Sequence, residues 1–166
     1  MRRSLLIIAL LLVPAASALG ASSPSKAIPF VGVTSQSKPF AMKLALTGRQ
    51  VALQVDFDVA CTSGLSFPDT ETVTAPAHPR KTGSRLTRVK FTAQGDKTLT
   101  LRTPDGKQTQ GQLDLVVAGN IVLSSGRAKG RIEPTVTLDN GDKCTSGLEP
   151  ITWNAAVGPA PSGSAG

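Results

Sequence analysis

"VALQVDFDVAC", residues 51–61, alternates between apolar and polar positions along its whole length. Val51, Leu53, Val55, Phe57, Val59 and Cys61 fall on one side, and Ala52, Gln54, Asp56, Asp58 and Ala60 on the other. Successive side chains of a strand point to opposite faces, so this run predicts a half-buried β-strand with Cys61 turned toward the core. Just upstream, Phe40, Met42, Leu44 and Leu46 alternate in the same way, and Thr47-Gly48-Arg49-Gln50 supplies the turn between them. The two segments together predict an antiparallel hairpin.

The same period continues downstream. Val89, Phe91 and Ala93 alternate before Gly95-Asp96, and Leu99 and Leu101 follow. "TPDGK" at 103–107 is a turn, with Pro104 presetting φ and Gly106 tolerating positive φ. Leu113, Leu115, Val117, Gly119, Ile121 and Leu123 share one parity, which predicts one long strand bent or bulged near Gly119. A return strand places Ala128, Gly130, Ile132, Val136 and Leu138 on one face; "DNGD" at 139–142 closes it, and Ile151, Trp153 and Ala155 form the last strand. No segment has sustained helical periodicity. About eight short or medium strands joined by turns predict an all-β antiparallel sandwich or small barrel, with the choice between them open. Residues 62–87 stand apart as a long linkage holding Pro68, Pro76 and Pro79, within which "TETVT" at 70–74 is a candidate strand.

The ends of the chain read differently. Arg2 and Arg3 precede the apolar run Leu5–Val13, Pro14 and the small-x-small triplet Ala16-Ser17-Ala18. That is the pattern of a Sec-type secretory signal cut after Ala18, and the run is short of the ~20 apolar residues that a spanning helix needs. The expected organisation is therefore a signal peptide at 1–18, a disordered segment at 19–26, one β domain at 27–157 and a disordered tail at 158–166. The expected product is secreted, monomeric and free of a membrane anchor. The whole chain carries a formal charge of +7, and loss of the two signal arginines leaves +5. That is mildly basic and does not specify nucleic acid.

The chain has two cysteines, Cys61 and Cys144, each opening a C-T-S-G tetrapeptide. In an exported chain they read first as a disulfide. A structural zinc site would need four Cys or His ligands, and His78 is the sole histidine. A C-x-x-C redox pair is absent. The two tetrapeptides do not extend into an internal repeat and mark two similar strand-end turns, in which Gly64 and Gly147 supply positive φ.

"FVGVTSQSKPF" at 30–40, followed by a strand ending in C-x-x-G, and "GRAKGRI" at 126–132, followed by a second C-x-x-G and Trp153, carry a resemblance. Their order resembles a family of small secreted β-rich hypothetical proteins from high-GC Gram-positive bacteria, over about residues 28–157. The step from Cys144 to Trp153 is longer than in that pattern. The resemblance implies export and a β fold, and no activity.

Residues that could carry chemistry are sparse. Asp56 and Asp58 share the polar face of one strand, whereas glycoside hydrolysis needs carboxylates opposed across a cleft, so they read as solvating groups. Asp69 and Glu71 read the same way. "DNGD" lacks the spaced ligands and terminal Glu of a calcium loop and reads as a turn around Asn140-Gly141. His78, in "APAHPRK", reads as a loop histidine with no nucleophile elbow to serve. No cofactor, metal or catalytic residue is expected. The positive hint is basic. Arg80, Lys81, Arg85, Arg88 and Lys90 lie within eleven positions free of acids, and Arg127, Lys129 and Arg131 alternate on an outward strand face. If they adjoin, they form a patch for an anionic envelope or extracellular polymer; otherwise they are a solvated loop and a wet strand face. The expected function is non-catalytic binding outside the cell. A structural envelope protein with no small ligand, and a hydrolase using unidentified carboxylates, are the alternatives.

Overall fold

The computed structural model describes residues 26–103 and 106–158. The expected signal segment and most of both expected tails lie outside these residues. Nine strands follow in order: β1 (Ala27–Thr34), β2 (Pro39–Ala45), β3 (Gln50–Cys61), β4 (Ser66–Thr82), β5 (Arg85–Arg102), β6 (Gln108–Val122), β7 (Arg127–Leu138), β8 (Lys143–Thr145) and β9 (Ile151–Val157). All pair antiparallel in one sheet, and the pairing returns on itself. The circuit runs β1-β2-β3-β4-β5-β6-β7-β9 and back to β1, so the fold is a barrel. The short β8 lies across one end and pairs with both β3 and β7.

The opening stretch forms β3 as its alternation predicts. Val51, Val55 and Phe57 are fully buried, and the expected hairpin sets Phe40 opposite Val55 and Leu44 opposite Val51. Leu46 is the exception: β2 ends at Ala45, and Leu46 is exposed in the turn. β6 is one continuous strand through Gly119. The glycine there serves packing. Gly119 and Gly130 are direct partners on β6 and β7, flanked by Phe91 and Trp153. A Cβ on Gly119 would lie 2.5 Å from the Trp153 ring and 2.6 Å from the Phe91 ring. The two glycines therefore open the space that the indole fills, where it stacks on Phe40 with ring centres 4.2 Å apart.

The proline-rich linkage expected at 62–87 holds the whole of β4, which includes the candidate strand at 70–74, with the turns on either side of it and the start of β5. β4 changes neighbours midway: residues 66–76 pair with β3, and residues 77–82 pair with β5. Each half has a ladder on one side only. Pro68, Pro76 and Pro79, lacking an N–H, are thus tolerated as they are on edge strands. Pro134 follows the same rule, falling on β7 between its pairing with β9, which ends at Ile132, and with β8, which begins at Thr135.

Cys61 and Cys144 are opposite partners on β3 and β8, bonded through sulfur with Cα atoms 3.7 Å apart. Gly64 (φ 87°) and Gly147 (φ 111°) sit in the left-handed region in the two C-T-S-G turns. The "DNGD" turn is tied to the first of these: the Asp142 carboxylate accepts from the Thr62 hydroxyl and from the Ser63 N–H. In the resemblance-bearing "TSQSKPF" run, Gln36 gives its side-chain amide to the Asp58 carbonyl and accepts from the Asp58 N–H, both at 2.9 Å. This pins the β1–β2 turn against β3. Asp58 also pairs with Lys38 at 3.0 Å, so it is a tie and not merely a solvating group.

Candidate anion-binding face

The register of β4, β5, β6, β7 and β9 brings the two basic segments of the sequence together. One cross-strand row reads Arg80, Arg88, Val122, Arg127, Ala156. The next reads His78, Lys90, Asn120, Lys129, Asn154. All are on the outward parity, because Val89, Phe91, Ile121, Ala128 and Ala155 between them are buried. His78 and Arg80 belong to a strand, which corrects their reading as loop residues: the Pro-rich stretch is β4. Lys81 and Arg85 lie farther out, where β4 and β5 meet at their turn, Arg85 facing Thr82. Arg131 extends the β7 column by one more outward position.

Spacing follows from strand geometry. Neighbouring strands are about 4.8 Å apart and alternate residues about 6.7 Å apart. The β5 cations (Arg88, Lys90) and the β7 cations (Arg127, Lys129) therefore stand about 10 Å from each other across β6. The floor between them is uncharged: Ala118, Asn120 and Val122. A depression of about 680 Å³ opens over this floor, lined among others by His78, Lys90, Asn120, Lys129 and Asn154. A neighbouring one of about 560 Å³ adds Arg127 and Val122. The Asn120 Oδ1 atom is buried without a hydrogen-bond partner among the described residues.

The charges are largely uncompensated. Arg131 pairs with Glu133 two residues along its strand. Arg80, Lys81, Arg85, Arg88, Lys90, Arg127 and Lys129 make no ion pair among the described residues. Arg80 even faces Arg88 directly across the β4–β5 ladder. Like charges set opposite each other on adjacent strands destabilise a sheet, so folding alone does not favour this arrangement. Apart from the His78 imidazole, the face carries no exposed aromatic ring among the described residues: Phe30, Phe40, Phe57, Phe91 and Trp153 are all buried, and Phe67 packs against the core from the other half of β4.

A second charged cluster was missed in the sequence. Asp69 and Glu71 have the same parity on β4 as the buried Val73, Ala75 and Ala77, so they point inward. This corrects their reading as solvating groups. They lie opposite the fully buried Phe57 and Val55 of β3. Lys97, on the inward parity of β5, reaches them from the other side. Its Nζ donates to Asp69 Oδ1 at 2.9 Å and to the Thr70 carbonyl at 3.2 Å, and also pairs with Glu71. The β4–β5 ladder ends at Ala77 and Phe91, so Lys97 spans a seam where the barrel wall has no backbone bonds. Burial alone would lower the Lys97 pKa; the hydrogen bonds and charges of Glu71 and Asp69 outweigh it and raise the pKa above the ordinary value. No three His, Cys, Asp or Glu side chains converge as a metal site among the described residues. Comparison with protein-family models, curated proteins and solved structures gives no match.

Proposed function

We propose that the protein is a secreted, non-catalytic barrel whose outer β4–β7 face holds a linear polyanion of the envelope or extracellular space. The observation that carries this reading is the pair of cation columns, Arg88 and Lys90 on β5 and Arg127 and Lys129 on β7, which make no ion pair among the described residues and flank an uncharged floor. A chain lying along β6 would meet cations on both sides at every second residue, about every 7 Å. With no exposed Phe, Tyr or Trp on the face and a lone imidazole at His78, there is no run of rings on which the bases of a single-stranded nucleic acid could stack, which favours a polymer without bases. Attraction of this kind draws on counterion release, so it falls steeply with salt and discriminates weakly between polymers of similar charge density.

The test is elution from a phosphate-bearing or sulfated resin in a salt gradient. Reversing Arg88 and Lys129 to Glu should shift elution to lower salt and flatten the log–log salt dependence by roughly one unit per cation removed. Reversal of Lys43 and Arg49, exposed on β2 and in the β2–β3 turn, changes net charge equally and should act far less. If both double variants elute together, net charge and not this face governs retention, and the reading fails.

A further inference from the structure

The Lys97, Asp69 and Glu71 cluster has no part in the outward face, and its geometry is that of a reaction poised between two strands. The amine nitrogen and an Asp69 carboxyl oxygen are 2.9 Å apart, and Glu71 touches the same nitrogen. Both carboxylates are more than four-fifths removed from solvent, with side-chain exposures of 16% for Asp69 and 14% for Glu71. The second oxygen of Asp69, Oδ2, is buried and has no hydrogen-bond partner among the described residues. On the barrel wall the three sit beside Phe57, Val55 and Leu113, all fully buried. An orphaned carboxylate oxygen in such a place is costly as an ion, and its cost disappears if the carboxyl is converted to an amide.

We propose that Lys97 and Asp69 join in an intramolecular isopeptide bond, with Glu71 as the proton shuttle. The step needs no co-reactant. The Lys97 ammonium gives a proton to Glu71, which passes it to Asp69, so that a neutral amine faces a neutral carboxylic acid. The neutral pair is the minor one, since Glu71 and Asp69 hold the Lys97 ammonium, and partial burial lowers the cost of reaching it relative to water. The amine lone pair then attacks Cγ of Asp69, and the nitrogen loses a second proton, which Glu71 relays to the departing oxygen. A C–N bond forms, a C–O bond breaks, and one water leaves. The ammonium's three hydrogens are then one on the amide nitrogen and two on the water. The product is a covalent staple across the seam where the β4–β5 ladder has stopped. It would hold that part of the barrel closed independently of the Cys61–Cys144 bond at the β8 end.

This inference is independent of polyanion binding and is tested on the intact secreted protein. After reduction of the disulfide, the mature chain should be lighter than its sequence by one water. Proteolysis should yield a branched peptide joining the Asp69 and Lys97 fragments. Glu71→Gln should restore the lost water or slow its loss greatly while leaving the fold intact, and Lys97→Arg should abolish the loss. A wild-type chain at full sequence mass overturns the proposal. So does a water loss confined to one linear peptide, which would be an Asp cyclised to a succinimide and not a crosslink.

Discussion

Removing the Cys61–Cys144 bond tests how the barrel is held at its β8 end. The bond spans 83 residues of chain. In the chain-entropy description a closed loop of that length restricts the unfolded ensemble by about 4.5 kcal/mol at 25 °C. The unfolding entropy of about 130 ordered residues converts this to a melting-temperature drop of roughly 15 °C. Replacing both cysteines with Ala is preferable to Ser, because Cys144 is fully buried and a hydroxyl there would add its own desolvation cost. Reduced wild type provides the comparison without a change of side chain. The assay is denaturant unfolding of the oxidised, reduced and double-Ala proteins. The reduced forms should show a lower midpoint and a larger slope, because their denatured chain is free to expand. A loss below about 1 kcal/mol with an unchanged slope would refute the reasoning. It would mean that the denatured chain already keeps β3 beside β8, or that the native bond costs nearly as much as it contributes.

Phe57→Ala should cost about 3–5 kcal/mol in thermal unfolding, because the ring is fully buried, whereas Asp58→Ala should cost about 1 kcal/mol or less, its backbone tie to Gln36 being retained. Gly130→Ala should destabilise by at least about 3 kcal/mol, because a Cβ would fall 1.9 Å from the Ala118 carbonyl oxygen and backbone cannot yield as a side chain does. Hydrogen bonds from Ser63 and then Thr62 hold the Asp142 carboxyl below its ordinary pKa. The stability this contributes is complete above the unfolded Asp value and is lost as pH falls through the lower folded value. Melting curves of wild type and Asp142→Ala should therefore differ at neutral pH and converge in acid.

The alternation in 51–61, 113–123 and 128–138 made most of the barrel wall legible, because a strand with one face buried must show period two. The disulfide was legible for a related reason: Cys61 carries the inward parity of its strand. The closure of the sheet was not legible. It depends on β4 leaving β3 for β5 midway along its length, and the prolines that this single-sided pairing tolerates are the residues that argue against a strand in a linear reading. With β4 hidden, the two basic segments could not be brought into register, since Arg80 meets Arg88 and Arg127 only through β4 and β6.

The same blind spot concealed the inward charges, and this explains why the two charged clusters differ in kind. Counting back by twos from the buried Ala77 through Ala75 and Val73 reaches Glu71 and Asp69, so the parity that predicts their burial is present once β4 is recognised. An inward carboxylate is tolerated only with a partner, and that partner is visible by counting forward from Phe91 through Ala93 and Gly95 to Lys97. Charges on the outward parity need no partner from the chain, because water screens them. Inward charges were matched within the fold, three donors of one ammonium against β4, and the outward cations were left unmatched on adjacent strands. An arrangement that answers charge with charge inside the barrel, but sets Arg80 against Arg88 on its surface, is the one the proposed polyanion contact would use.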